Sequence, residues 1–324
     1  MRNKELYSKF VLEENAIPIF SQPWWLDIVA GEENWNVIIV EDKSKIIASF
    51  PYYIKQDGLY KIICQPPLTQ KLGTYIKYPG KIKNEAKLAL ENKVVKEIID
   101  RLPKVDAINF NCDVNHQNWI QWYWKGFSQT TRYSFRIDTY SSLEDILLGF
   151  SSSARNICNK YLKGNSSITI DTNISPQDFY AICEMTFKRQ DMKTPYSYSL
   201  FEKIWTETMK RGVAMPLVAR GEDGKIHGVA FEVWDNRTMY DLLSGQDPNR
   251  RNAGERYLLI MEGIRAAKKR GLIFDCEGSM IEPINDFYRK TGGIQTPYYR
   301  ISKEISKRYR IYSSIRNLGK ALLK

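Results

Sequence analysis

Two distant stretches of the chain read alike. DAINFNCDVNHQNWIQWYWKGFSQTTRYSFRI (106–137) lies against GLIFDCEGSMIEPINDFYRKTGGIQTPYYRI (271–301), so that Phe110, Cys112, Tyr123, Arg136 and Ile137 meet Phe274, Cys276, Tyr288, Arg300 and Ile301. The hairpin segments upstream match as well, EDKSKIIASF against EDGKIHGVAF. A long-period similarity with one order of elements argues for two copies of a single α/β unit rather than a solenoid, whose repeats are much shorter. The length of 324 residues suits two domains, and 43% hydrophobic content is enough to give each a core. The reading divides the chain into domains at 1–140 and 141–300 and a basic tail at 301–324.

The second copy is the clearer one. Alternating runs Lys225–Trp234 and Arg237–Ser244 flank the turn pair Asp235-Asn236, the pattern of a β-hairpin. A polar loop, Gln246–Gly254, leads into Glu255–Arg270, whose Leu258, Leu259, Ile264 and Ala266 recur at helical spacing until Gly271 stops the helix. A strand at Leu272–Cys276, a helix at Ile281–Lys290 and a strand at Ile294–Ile301 follow. Upstream, strand Ser167–Asp171 and helices Pro176–Gln190 and Leu200–Arg211 precede the hairpin. In the first copy, a short helix opens at Ser21-Gln22-Pro23-Trp24-Trp25. Strands are expected over 36–41, 45–54, 59–64, 105–112 and 127–138, and helices over 85–101 and 117–125. The Pro-rich QPPLTQKLG (65–73) stands where the second copy has its Arg/Asn/Gly loop. Ser142 starts a helical region expected to reach about Lys163.

Charge and cysteine narrow the partners. The net charge of +11 is unevenly spread: 19 basic against 16 acidic residues over 1–140, 22 against 20 over 141–300, and 7 against 1 over 301–324. In that tail Ile301, Ile305, Tyr309, Tyr312, Ile315, Leu318 and Leu322 follow helical spacing with cations between them. Such a helix either packs on the domains or lies on an anionic membrane surface. Cys64, Cys112, Cys158, Cys183 and Cys276 are scattered without C-x-x-C spacing, which fits a reducing compartment. No apolar run reaches membrane-spanning length and the first ten residues lack a signal core, so the expectation is a cytoplasmic protein, soluble or peripheral at the inner membrane face. His116 and His227 have no metal-ligand spacing, and no metal is expected.

The element order of the second half, with RRNAG at the loop and INDFYRKTGG at the last helix, resembles the GNAT acyltransferases. The duplication, the QPWW start, SSSARNICNKYLKG at the junction and FDCEGS resemble the Fem-type, GNAT-related transferases that add amino acids to peptidoglycan precursors. The fold class this implies is α/β (α+β): two tandem GNAT-like domains, each a mixed twisted sheet flanked by helices, plus the basic C-terminal helix. The resemblance also implies transfer of an acyl group from an activated carrier to an amine by direct attack. The donor is then acyl-CoA or aminoacyl-tRNA, with tRNA a partner in the second case. The acceptor is an amine-bearing cell-envelope precursor or polysaccharide.

Each part of that reaction has candidates. Carrier phosphates suit a helix N-terminus with charged clamps, here Arg250, Arg251, Asn252 and Gly254 before the helix at Glu255. Against the GNAT form Q/R-x-x-G-x-G/A, Arg251 and Gly254 are kept but Arg256 replaces the final small residue. That departure favours a carrier other than coenzyme A. The amine must lose a proton, for which Glu232, Asp241 and Asp275 are candidate bases. Glu232 shares a strand face with Ala230 and Trp234, so desolvation is expected to raise its pKa. Tyr288 stands where GNAT enzymes often carry a tyrosine that protonates the leaving thiolate. N–H groups along Asp241–Gly245 are expected to polarise the acyl carbonyl if the strand splays there. Trp24, Gln65, Thr69 and Gln70 are the acceptor candidates, aromatic and polar groups suited to a sugar or peptide. From sequence alone two rivals stay open: an acyl-CoA-dependent N-acyltransferase acting on an amino sugar or small metabolite, and a membrane- or RNA-associated scaffold that kept the fold without the chemistry.

Overall fold

The computed structural model describes residues 2–189, 191–250 and 254–322. The chain forms two compact units, Met1–Arg132 with Pro297–Lys324, and Tyr133–Thr296. In order, the first part of the chain runs α1 (Arg2–Glu13), α2 (Pro23–Ala30), β1 (Trp35–Asp42), β2 (Lys45–Asp57), β3 (Tyr60–Cys64), β4 (Tyr75–Ile76), α3 (Asn84–Asp100), β5 (Ala107–Asn111), α4 (Ile120–Trp124) and β6 (Ser128–Ile137). The second continues through α5 (Leu143–Leu148), α6 (Ser152–Leu162), β7 (Ile168–Asp171), α7 (Pro176–Lys188), α8 (Tyr198–Lys210), β8 (Ala214–Gly221), β9 (Ile226–Trp234) and β10 (Thr238–Gln246). It closes with α9 (Glu255–Lys269), β11 (Ile273–Asp275), α10 (Glu282–Arg289), β12 (Ile294–Glu304) and α11 (Lys307–Leu322).

The first unit's sheet has the order β1-β2-β3-β5-β12, the second's β6-β11-β10-β9-β8-β7. Antiparallel steps, two in the first sheet and three in the second, are followed in each by one parallel and one antiparallel step: β3 pairs β5 in parallel and β5 pairs β12, while β10 pairs β11 in parallel and β11 pairs β6. The closing strand of each sheet therefore belongs to the other sequence repeat. Ile137 lies opposite Phe274, and Ile301 opposite Phe110, so the residues matched by the internal similarity are cross-strand partners in exchanged pairs. This exchange is why the unit boundary falls at Arg132/Tyr133 and returns residues 297–324 to the first unit.

Both faces of the first sheet are buried. Trp35, Val37 and Ile39 of β1 meet Tyr7 and Phe10 of α1, and the alternate residues Ile38 and Val40 meet Val94, Val95 and Ile98 of α3. Period-two alternation fixes this division. Trp122 anchors the α3 side, its ring 4.9 Å from Phe127 and 5.3 Å from Phe110. Helix α1 is invisible as a helix in its charge-alternating sequence, but Tyr7 and Phe10, three apart, bury one face and the Tyr7 hydroxyl donates to the Ser21 carbonyl at 2.7 Å. In the second unit α9 is buried on most of its surface, Glu255 and Arg256 included, and is correspondingly central. The opposite face of that sheet carries an aromatic layer in which Trp205 stacks on Phe231 at 4.8 Å.

Three expectations change. The helical region from Ser142 is two helices, because Ser142 and Ser151 each accept a hydrogen bond from a first-turn N–H and Gly149 touches the backbone of Gly292 between them. Ile301, placed in the tail's helical pattern, is a fully buried residue of β12, and α11 begins only at Lys307. Tyr75–Ile76, read as loop, pairs with β2.

Helix α7 crosses β10 at Gly245 so closely that a Cβ there would stand 2.8 Å from the Cys183 N and Cα atoms and the Ile182 carbonyl. Backbone cannot move aside as a side chain can. Gly245→Ala is expected to cost about 1–3 kcal/mol of unfolding free energy in urea, whereas Gly80→Ala, which meets nothing within 4 Å, changes it by less than about 0.5 kcal/mol.

Candidate active site

The β9–β10 register places Glu232 directly opposite Asp241, and a bulge at Leu242 follows. Both carboxyls lie under α9. Gly263 on that helix makes the room: a Cβ there would sit 2.9 Å from Glu232 Oε1 and 2.6 Å from the Phe274 ring. The hairpin that brings the pair together is locally encoded, since Asp235 Oδ1 accepts from the N–H groups of Arg237 and Thr238, both at 2.9 Å. β10 pairs with β11 only over Thr238–Tyr240, then runs on to Gln246 without it. β11 itself ends at Asp275, opposite Tyr240, so Asp241–Gly245 extend past the end of that strand. Gln246 N–H, just beyond, is taken by Thr186 Oγ1 at 3.0 Å.

The first turn of α9 completes the cluster. Arg256 points inward and donates to Asp241, and the Tyr288 hydroxyl of α10 adjoins this pair. Beside it Glu255 accepts from the Gln246 side chain at 2.7 Å. Glu232 is 0% exposed and neither of its oxygens has a hydrogen-bond partner among the described residues. Burial pushes its pKa well above the usual carboxylate range; the charge of Asp241 adds to this and Arg256 opposes it. Asp241 is also raised by burial, against the pull of Arg256. Burial works against the charge of Arg256, yet Asp241 beside it holds the guanidinium's pKa up. Tyr288 is raised by burial and then by Asp241. The arrangement is an Asp241–Arg256 ion pair flanked by two groups, Glu232 and Tyr288, whose pKa values burial holds above their ordinary ranges. At 9% exposure Tyr288 lies nearest the surface.

Asp275 is differently placed. Ser134 donates to its Oδ1, the Glu277 N–H reaches the same oxygen at 2.9 Å, and Arg136 lies 3.5 Å from Oδ2. These partners make it a clamp between β11 and β6. The turn that follows depends on Gly278, where a Cβ would be 2.3 Å from the Tyr133 carbonyl.

On the donor side, Gly254 is left-handed at the start of α9, and a Cβ there would meet Ile157 of α6 at 2.6 Å. Arg250 is held by Asp223 at 2.7 Å and Asp247 at 3.5 Å. Arg251 and Asn252 lie outside the described residues. Arg256 was expected to crowd the phosphate loop. Its side chain turns into the core instead, because the first-turn position it occupies faces the sheet. Its role as Asp241's partner was not read from the sequence, although a cation in the first turn, against the helix dipole, was a signal.

The acceptor candidates lie in the first unit. Trp25 is fully buried and its Nε1 donates to Thr69 Oγ1 at 3.0 Å, while Trp24 packs edge-on to it at 5.7 Å. Gln65 Oε1 accepts from Asn111 N at 3.2 Å, and the Gln65 amide nitrogen is buried without a hydrogen-bond partner among the described residues. Gln70 offers its carbonyl to the Asn111 side chain at 3.0 Å. The same unit holds a cleft of about 870 Å³ beside α11, with Arg300, Lys303, Arg310 and Arg316 in its lining, which sequence reading did not find. No group of side chains able to hold a metal ion occurs among the described residues.

Residues 155–277 match the family model of the acetyltransferase (GNAT) domain. Among solved structures, FemX superposes with a TM-score of 0.68 at 14% identity, over 97% of this chain and 98% of its own. L-PGS from Bacillus licheniformis gives 0.53 at 11% identity, over 96% of each chain. The C-terminal domain (DUF2156) of the candidate lysylphosphatidylglycerol synthetase of Agrobacterium fabrum gives 0.53 at 12%, over 93% of this chain and 92% of its own. At such identities the likeness speaks for the fold. No curated protein is a significant sequence match.

The cluster has a pH signature. Folded Glu232 keeps a proton that the unfolded carboxyl loses near 4.5, so stability is full below that pH and falls as pH rises toward the folded value. Glu232→Gln lacks this loss. Its stability relative to the native chain is expected to grow with pH above about 4.5, by up to about 1.4 kcal/mol per unit, in urea titrations from pH 5 to 8. Asp241→Asn strands Arg256 and is expected to cost about 3–5 kcal/mol in the same titrations at pH 7.

Proposed function

We propose, on the match of residues 155–277 to the acetyltransferase (GNAT) domain model, that the chain transfers an acyl or aminoacyl group from an activated carrier to an amine of a cell-envelope precursor or polysaccharide. The observation that carries the reading is the buried cluster of Glu232, Asp241, Arg256 and Tyr288 where β10 runs on past the end of β11. The amine nitrogen bonds to the acyl carbon, the bond from that carbon to the carrier's sulfur or oxygen breaks, and one amine proton departs as the carrier takes one up. Tyr288, protonated and nearest the surface, is our proton donor to the carrier. Asp241, fixed by Arg256, orients it, takes up the proton that the amine gives up and returns it to Tyr288, with Glu232 opposite sharing that proton. Asp275 supports β11, which ends opposite Tyr240.

The donor's phosphates are proposed to meet the α9 N-terminus at Gly254, with Arg250, Arg251 and Asn252 alongside. Arg250 would exchange Asp223 and Asp247 for phosphate oxygens. Trp24, Gln65, Thr69 and Gln70 are proposed for the acceptor, and the unpartnered Gln65 amide supports this for Gln65. The name of the lysylphosphatidylglycerol synthetase relative supports an aminoacyl group as the one transferred and an envelope acceptor. A second reading, an acyl-CoA-dependent N-acyltransferase of an amino sugar or small metabolite, gains from the inward turn of Arg256, which removes the steric ground for excluding coenzyme A.

The test is to incubate the protein with acyl-CoA or aminoacyl-tRNA and amine acceptors of both kinds, following amide formation by mass spectrometry. Transfer from one carrier class identifies the donor, and Tyr288→Phe is expected to lower kcat about a hundredfold with little change in KM. Absence of transfer from both carriers to every acceptor would sink the reading.

A further inference from the structure

Helix α11 is docked by its polar aromatic face. Tyr309 and Tyr312 pack on Tyr60 of β3, ring centroids 5.3 and 5.0 Å away, and Arg316 reaches Asp57 at 3.2 Å. At 100° per residue these three positions fall on one side of the helix. Ile311, Ile315 and Leu318 centre roughly 125° further round the helix, and they are 63%, 64% and 64% exposed. Spaced four and three apart, they form one aliphatic stripe facing away from the unit. Lys307 and Arg308 flank it, and both are exposed. The helix thus leaves outward the apolar face that an ordinary docked helix buries.

We propose that this stripe seats α11 in the interface of an anionic lipid membrane. Ile311, Ile315 and Leu318 enter the acyl boundary while Lys307, Arg308 and Arg310 lie against the headgroups. Charge selects this occupant. Residues 301–324 hold 7 basic residues and 1 acidic one. A second copy docked on the stripe would bring an equally cationic helix against it, whereas an anionic surface neutralises the excess. No described helix is long and apolar enough to cross a membrane, so the contact lies along the surface. The inference does not rest on the transfer chemistry, and its test does not use it.

The experiment is flotation of the full-length protein with vesicles of phosphatidylcholine alone or mixed with phosphatidylglycerol, at low and high salt. Binding is expected only to the anionic vesicles and to weaken with salt. The triple substitution Ile311→Ser, Ile315→Ser, Leu318→Ser is expected to reduce partitioning at least about tenfold with an unchanged melting curve. Arg308→Glu alone, which leaves the apolar stripe in place, is expected to weaken binding severalfold. The proposal is overturned if the native protein ignores anionic vesicles or if the triple variant floats as well as the native chain. It is equally overturned if light scattering shows a dimer that the triple variant loses. Should the triple variant melt early, undiminished binding by Arg308→Glu at low salt overturns it.

Discussion

An arginine cannot be stripped of its charge inside a protein, and the neighbourhood of Arg256 is arranged around that fact. Once the first turn of α9 faces the sheet, the guanidinium needs a carboxylate, and the β9–β10 register supplies Asp241. Burial raises the pKa of Glu232 across the strand pair and of Tyr288 beside it; the charge of Asp241 adds to each shift and Arg256 opposes it. One buried ion pair is thereby coupled to two further titratable groups, just past the end of the pairing between β10 and β11.

The strongly periodic segments could be read directly. The hairpin around Asp235-Asn236 announces itself by alternation and turn chemistry, and α9 by an apolar pattern that Gly271 ends. The burial of Glu232 followed from its place between Ala230 and Trp234. The partners of these residues could not be read in the same way. Ser134 and Arg136, which bind Asp275, come from the far repeat, and no local pattern reports a contact of that sequence separation. Arg256 looked like part of an anion-binding loop because a regular expression ignores which way a side chain points. Helix α1 was missed although Leu6, Tyr7, Phe10 and Val11, at i, i+1, i+4 and i+5, face its core; the charges between them masked a short stripe.

The tail shows the converse error. Its spacing was correctly helical over most of its length, yet the pattern lumped the tyrosines with the aliphatics, and the fold separates them into a docked and an exposed face of α11. Amphipathic character was legible. Which half of it the protein would use for itself was not, because that depends on Tyr60 and Asp57, residues far away in the chain.

The traded closing strands also constrain how the molecule comes into being. As it emerges from the ribosome, the front repeat has everything for its sheet except the last strand, and the one it makes next, β6, goes to the other half. The edge of β5 waits for β12, which is made only after the rest of the second repeat. Until then it is an unpaired template open to any passing strand. Neither half can be harvested as a free-standing domain by cutting between the repeats, and duplication here has produced a single interdependent folding programme in place of two modules.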